Sequence, residues 1–348
     1  MFGPQVYIDL DAVVANWRMF ARRAASAKAA AVVKADAYGL GAARVGPALA
    51  RAGCTRFYVA WPQEGAELRK ALGAGPEIAV FHGPVRDTLD QFATAGLQPV
   101  LNSLEQIDLW AGRASAALHL DTGMNRLGLS EAQWAEAAGR LPRPAVLVSH
   151  LACGDEFEHP KNRRQLEAFN RASALWPGIP RSFSAAGGAY LGDQFAMDEI
   201  RPGIGLYGGG PQPPHGEGPK PVVTLKSPIL QIRNVGRGES VGYGATWTAD
   251  SEKTLATVGL GYADGFLRAA SNRGMAVVAG ARRPIVGRVS MDLIVVDITG
   301  VKASVGDEIE FLGPNMPLAE VASSMGTIDY EVLSRLGSRI ERIWLGGK

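Results

Sequence analysis

The residues best suited to chemistry in this sequence sit where short apolar runs end. Ala31-Val32-Val33 reads as a buried strand that runs straight into Lys34, followed by the turn-rich Ala35-Asp36-Ala37-Tyr38-Gly39-Leu40-Gly41. An ammonium at the end of a buried strand loses water, which disfavours its charged form and lowers its pKa. A lysine so placed can act as an amine nucleophile or base, and can form a Schiff base with an aldehyde. It can equally snorkel from the strand rim to solvent, and the strand end alone does not separate the two. Other polar residues fall at comparable places. They are His119 leading into Asp121-Thr122-Gly123-Met124-Asn125-Arg126, then Ser149-His150, then Ser182-Phe183-Ser184, and Arg201-Pro202-Gly203-Ile204. Each has a purely structural explanation: His150 as a satisfied core histidine, Arg201 as the partner of a carboxylate such as Glu199. Their joint occurrence at strand ends is what points to a site.

The elements that must position these residues follow a rhythm. Short apolar runs near 31–34, 56–61, 77–82, 97–101, 115–120, 145–150, 181–184 and 198–207 alternate with helical patterns at 64–72, 103–111, 131–138 and 163–175. Gly53, Gly73, Gly112 and Gly139 suit helix C-caps. About eight strands alternating with helices predict a (β/α)8 TIM-like barrel, in which chemistry gathers at the C-terminal strand ends. An open doubly wound sheet is the alternative, and the count of eight favours the barrel. Before it, 5–10 alternates like a strand, and Asp9 or Asp11 can cap a helix presenting Val13, Trp17, Phe20 and Ala24 on one face. The segment 208–219 is rich in Gly and Pro and reads as a linker. Beyond it the pattern is mostly β, at 222–235, 254–260, 275–278, 284–297 and 308–312, with a helical stretch only at 318–336. The expected division is a barrel at 1–221 and a mostly-β C-terminal domain at 222–348.

At 348 residues, with 47% hydrophobic and 20% charged residues and a net charge of +2, the chain is an ordinary globular protein. Its basic residues are scattered, which argues against nucleic acid or a membrane surface as the main partner. Cys54 and Cys153 form neither a disulfide framework nor a metal-ligand spacing, so no metal is expected. No leader-like or membrane-spanning run is visible, and the expected compartment is a reducing cytoplasm. A lysine together with a small-residue cradle late in a barrel suits an aldehyde cofactor with a phosphate tail. Ser184 with its glycines, and the Gly203-Ile204 backbone, can supply hydroxyl and N–H donors to that phosphate. Pyridoxal phosphate, joined to the lysine, meets these needs.

With those residues in view, the sequence resembles the alanine racemases, pyridoxal-phosphate enzymes built from a barrel and a β domain. The matching motifs are Val33-Lys34-Ala35-Asp36-Ala37-Tyr38-Gly39, Asp121 to Gly128, Ser149-His150-Leu151-Ala152, Ser184-Ala185-Ala186, Arg201-Pro202-Gly203-Ile204, Gly261-Tyr262-Ala263-Asp264-Gly265, Ser290-Met291-Asp292 and Tyr330-Glu331. Eight motifs in order, across both domains, make the resemblance specific. It implies that Lys34 carries the cofactor and serves as one of two bases. Tyr262 is then the second base, reaching in from the other chain of a homodimer. It implies that Arg201 faces the cofactor's pyridine nitrogen with His150 supporting it. Arg126 meets the phenolic oxygen and the substrate carboxylate. Tyr38, Ser184, Gly203, Ile204 and Tyr330 hold the phosphate, and Met291 with Tyr243 closes the substrate pocket. The implied reaction interconverts L- and D-alanine and supplies D-alanine for peptidoglycan. Racemisation of another amino acid such as serine, or a cofactor carrier without catalysis, are the alternatives, and the β domain with Tyr262 argues against the carrier. One departure stands out: many relatives have a lysine two residues before Asp-Thr-Gly, and here that place is His119, able to meet Arg126 only as a neutral acceptor. Ser290, where many relatives have cysteine, is a minor change.

Overall fold

The computed structural model describes residues 3–24 and 26–347. Nine short parallel strands follow the order Lys28–Ala29, Glu199–Ile200, Arg181–Ser182, Leu147–Val148, Ala117–His119, Gln98–Leu101, Glu77–Val80, Arg56–Val59 and Ala31–Val32. The first and last of this order are consecutive in the chain, separated by Ala30 alone. One extended run therefore pairs with Glu199–Ile200 on one side and Arg56–Val59 on the other. Hydrogen bonds from Ala30 N to the Ile200 carbonyl (2.9 Å), Val32 N to Pro202 (3.0 Å) and Val33 N to Tyr58 (2.9 Å) close the ring. The expected eightfold barrel is present. A doubly wound sheet is excluded, since it would leave two outer edges unpaired.

Val59, Val80, Val100, Leu118, Leu147 and Ile200 are all fully buried, as strands covered on both faces require. Asp9, and not Asp11, caps the helix Leu10–Arg23 by accepting from Ala12 N at 2.9 Å; the Asp11 carboxylate instead accepts from Gly347 N. That helix buries Val13, Trp17 and Phe20, the face expected of it, with Ala24 buried just past its end. Gly73 ends the helix Pro62–Leu72 as expected. Gly139 lies inside the helix Trp134–Arg140, which runs on past it to a cap at Leu141 whose N–H bonds the Ala137 carbonyl.

The second unit comprises, among the described residues, 3–12, Tyr207–Gly209 and Lys220–Gly347. Its spine is the thirteen-residue strand Val223–Val235, which pairs antiparallel with Gln5–Asp9, Glu308–Leu312 and Lys253–Val258. Two features differ from expectation. The N-terminal strand does not lie in the barrel, as a division at 221/222 has it. It is hydrogen-bonded between Val223–Val235 and a parallel C-terminal strand, Glu341–Leu345, that sequence patterning did not reveal. The helical stretch at 318–336 is two helices, Leu318–Ser324 and Asp329–Ser334, parted at Gly326, whose φ of +65° stops a right-handed helix. No helix among the described residues is long and apolar enough to cross a membrane.

Candidate active site

Lys34 leaves its strand at the C-terminal end, half-buried. Burial lowers the pKa of its amine, the guanidinium of Arg126 lowers it further, and Glu64 opposes them. Its Nζ stands 5.9 Å from the ring centre of Phe81. The next four residues, Ala35, Asp36, Ala37 and Tyr38, have φ of +52°, +51°, +54° and +58°. They form one left-handed helical turn, which costs L-residues roughly 1–2 kcal/mol each. Neighbouring groups hold it in place. Glu64 accepts from Ala35 N (2.8 Å) through Oε1, and from Ala60 N (2.8 Å) and Trp61 N (3.2 Å) through Oε2. Asp36 Oδ1 accepts from Ala42 N at 2.7 Å. The turn delivers Tyr38 to Gly203, where any Cβ would overlap the Tyr38 hydroxyl. Burial raises the pKa of that phenol far above its ordinary value, so it remains a proton donor.

The residues expected to hold phosphate form a cradle around that contact. The N–H groups of Gly203 and Ile204, both buried, have no hydrogen-bond partner among the described residues. Buried donors without partners are rare, and two adjacent ones beside a protonated phenol suit a multiply charged oxyanion. Ser184 is fully buried beside Gly188, and its hydroxyl donates to the Phe195 carbonyl at 2.7 Å. The Gly203 and Ile204 N–H groups beside the Tyr38 phenol fit the phosphate of pyridoxal phosphate, and Ser184 would join them by turning its hydroxyl away from the Phe195 carbonyl.

Arg201 is 2% exposed and tightly held. Nη1 donates to Ser182 Oγ (2.5 Å), and Nη2 to the carbonyls of Ser149 (2.5 Å) and Phe183 (3.3 Å). Glu199 is not its salt-bridge partner. That carboxylate accepts from Tyr58 Oη (2.6 Å) and Ser182 Oγ (3.0 Å) and pairs with Arg56 Nε (3.2 Å), while Arg56 also reaches Glu77 and Gln98. The expected support of Arg201 by His150 is not formed as a hydrogen bond among the described residues; Ser182 and two carbonyls do that work. Burial first, then Arg201 and other nearby cations, push His150 down to about 3. His119 is pushed down to about 4 by burial, Arg201 and Arg126, against Asp121. Both rings are therefore neutral in the folded chain at pH 7. Below pH 6.5 the unfolded chain takes up protons that these buried rings refuse, so stability falls from pH 6.5 toward 4. For His119 alone the loss at pH 4 is roughly 3 kcal/mol. Melting midpoints measured from pH 7 to 4 should drop steeply, and the slope should be shallower in His119→Gln; equal slopes would refute this origin.

Arg126 lies on an exposed loop whose shape is set by Asp121, which accepts from the backbone N–H groups of Gly123 (2.9 Å), Met124 (2.8 Å) and Asn125 (3.2 Å). Its guanidinium makes no hydrogen bond among the described residues, leaving a free fork of donors. Gln165 ties this strand end to the next one by donating to Thr122 Oγ1 (3.2 Å) and the His150 carbonyl (3.0 Å).

In the mostly-β unit, Tyr262 opens a 3₁₀ turn, Tyr262–Asp264, and is 41% exposed. Tyr262 N donates to the Ser290 carbonyl and Ala263 N to that of Met291, both at 3.0 Å. The two backbones approach so closely at Gly261 that a Cβ would overlap the Met291 carbonyl. Asp264 is a buried turn former: it accepts from Gly261 N (2.9 Å) and from Arg339 Nε (2.8 Å), and Arg339 also pairs with Asp292 (2.8 Å). Tyr262 and Met291 are thus presented side by side on a braced surface that also exposes Tyr243. Tyr330 sits on the helix Asp329–Ser334 of the same unit.

The barrel unit thus gathers Lys34, Tyr38, Arg126, His150, Ser184, Arg201, Gly203 and Ile204 at its strand ends, and the β unit carries Tyr262, Met291 and Tyr330. The family model for the alanine racemase N-terminal domain matches residues 8–211, and that for the alanine racemase C-terminal domain matches 222–344. The chain belongs to the alanine racemase family. An alanine racemase of Cereibacter sphaeroides is 47% identical over 341 residues, 96% of each chain. One of Rhodospirillum rubrum is 44% identical, covering 97% of this chain and 95% of its own. Among solved structures, an alanine racemase from Bartonella henselae with covalently bound pyridoxal phosphate superposes with a TM-score of 0.94 at 38% identity, covering 99% of this chain and all of that one. An alanine racemase from a D-cycloserine-producing Streptomyces lavendulae gives 0.93 at 32% identity, covering all of this chain and 98% of its own. Sequence reasoning missed the parts that brace the racemase-like site: Glu64, Asn102, Tyr58 and Gln165. Only Glu64 carried a signal, as an acid in the first turn of a helix directly after a strand.

Proposed function

We infer that this chain interconverts L- and D-alanine with pyridoxal phosphate joined to Lys34. The observation that carries this reading is the Lys34 amine, its pKa lowered by burial, at a strand end bordering the unpartnered N–H groups of Gly203 and Ile204. Bound there, pyridoxal phosphate supplies an electron sink that stabilises negative charge at the substrate Cα. With that group bound, the Lys34 amine would move a proton on one face of Cα. Tyr262 moves it on the other, contributed by the second chain of a homodimer. Arg126 offers its open fork to the substrate carboxylate and the phenolic oxygen. Arg201 has both terminal nitrogens bound to protein, and its Nε–H has no partner among the described residues. That N–H can only donate, so it would hold a cofactor ring nitrogen as an unprotonated acceptor and favour return of the proton to Cα over other reactions. Tyr38, Ser184, Gly203 and Ile204 hold phosphate, with Tyr330 completing that shell, and Met291 and Tyr243 wall the pocket. The D-alanine formed would serve peptidoglycan assembly from the cytoplasm.

Borohydride reduction followed by peptide mass mapping should place the cofactor on Lys34, and Lys34→Ala should lose at least about 10²–10⁴-fold in activity. An adduct on another lysine refutes the assignment. Incubating the enzyme with each L-amino acid and resolving the products on a chiral column should show alanine racemised faster than serine; the reverse order selects the serine reading.

A further inference from the structure

The three groups that the β unit offers to the site ride on three separate stretches of chain. Tyr262 is on the turn 261–265, Met291 on the bend 290–293 and Tyr330 on the helix Asp329–Ser334. None of the three lies in a strand, so no sheet ladder fixes one against another. Arg339, just past the Tyr330 helix, joins them. Its Nε donates to Asp264 Oδ1 and its Nη1 to Asp292 Oδ1, both at 2.8 Å. Asp264 stands two residues after Tyr262, and Asp292 directly follows Met291. The other oxygen of Asp264 accepts from Gly261 N (2.9 Å) and closes the turn that carries Tyr262. Backbone contacts draw in the stretch past Tyr330 as well. Gly337 N donates to the Asp264 carbonyl at 2.8 Å, and Gly265 runs so close to Arg335 that a Cβ would overlap its carbonyl oxygen. Arg342 stiffens the same stretch by donating to the carbonyls of Leu336 (2.8 Å) and Gly337 (3.0 Å). The Asp264 side chain is 3% exposed, so its pair with Arg339 is screened far less than the pair with Asp292, which is 56% exposed.

We propose that Arg339 is the positioning residue of the β unit, holding Tyr262, Met291 and Tyr330 in one fixed arrangement. This rests on the reading of Tyr262 as a proton-transfer group and deepens it. A planar guanidinium directs donors along fixed lines, so it sets two carboxylates at one spacing, which an ammonium on a flexible stem does not. Spacing matters at this point because a misplacement of about 1 Å at a reacting group costs on the order of 10²-fold in rate. Arg339 acts through its two acids and not on the substrate.

The test compares alanine deuterated at Cα with ordinary alanine, for each enantiomer, in the cofactor-loaded enzyme. Arg339→Ala should lower kcat about tenfold or more, and should slow proton transfer on the Tyr262 face alone. The substrate isotope effect should then grow for the enantiomer whose Cα hydrogen faces Tyr262. For the mirror enantiomer the slow step becomes return of a solvent-derived proton from Tyr262. Its substrate isotope effect should shrink while its solvent isotope effect grows. A loss of packing alone lowers kcat for both enantiomers without that split. Arg339→Lys restores the charge without the fork, and should recover stability but not the wild-type isotope effects. Asp292→Asn leaves the buried pair in place and should show the same split at smaller size, which serves if Arg339→Ala does not fold. Isotope effects that stay at wild-type values for both enantiomers, whatever happens to kcat, overturn the proposal. Full activity in Tyr262→Phe, or a wild-type enzyme that racemises no amino acid, would instead overturn the underlying reading.

Discussion

An equal mixture of Lys34→Ala and Tyr262→Ala chains, allowed to exchange subunits, should regain racemase activity that neither variant has alone. On the proposed roles, each variant homodimer would lack one of the two proton-transfer groups in both of its sites, and removing one such group costs about 10²–10⁴-fold. If Lys34 of one chain works with Tyr262 of the other, a twofold dimer makes the sharing reciprocal. A heterodimer then holds one site missing both groups and one site missing neither. Random exchange makes about half the dimers heterodimers with one intact site each, so activity should rise to about a quarter of wild type. The surface of the β unit is consistent with this use, because Tyr262, Met291 and Tyr243 are 41%, 53% and 72% exposed on a braced patch. Proven heterodimers that stay at parental activity would place both bases in one chain.

Glu199→Ala should destabilise the barrel by about 3–5 kcal/mol, the usual cost of stripping the partner from a buried charge. Glu199 is 5% exposed and is the one acid among the described residues paired with Arg56 at the barrel interior, where Arg201 is also buried. Deleting it leaves Arg56 with only the exposed carboxylate of Glu77, takes the nearest buried negative charge away from Arg201, and strips a carboxylate acceptor from Tyr58 and Ser182. Ser182 then keeps only the backbone carbonyl of residue 199 as an acceptor, its oxygen is held less firmly toward Arg201, and the cofactor should bind more weakly in step with the loss of stability. Glu199→Gln keeps the shape and some of the hydrogen bonds, and should fall between wild type and alanine. Chemical denaturation of the three proteins decides it: a change within about 1 kcal/mol for Glu199→Ala would show that Arg201 is held by its carbonyls alone.

The barrel was legible because its evidence is periodic. Eight apolar runs with polar residues at their ends force a parallel sheet and place Lys34, His150, Ser184 and Arg201 at one rim. A helix cap at Asp9 or Asp11 was legible for the same reason, since a cap acts within three residues, and Asp9 fills it. What escaped depends on contacts between residues far apart in the chain. Glu341–Leu345 becomes a strand only because Gln5–Asp9 offers it an edge, more than three hundred residues away. The Tyr58–Glu199–Ser182 cluster is assembled across the barrel, and nothing in the spacing of those residues reveals it. His119 was visible as a departure from its relatives, whereas its partner was not, because Asn102 lies on a neighbouring strand end and looks like an ordinary residue before a cap.

The left-handed turn after Lys34 has a consequence for the order in which the molecule is made. Four consecutive L-residues in that conformation sum to roughly 4–8 kcal/mol of unfavourable backbone energy, so a free chain does not adopt it. Its restraints come from elsewhere: Glu64 on the helix after the next strand, and Gly203 from the last strand to join. Until both have arrived, residues 35–38 relax and the amine points nowhere in particular. Closure of the barrel is therefore what arms the lysine, and cofactor capture during refolding should trail the formation of the sheet. On the proposed role of Lys34, a partly built chain holds the amine but not its aim, which would keep it from meeting an aldehyde before the pocket around it exists.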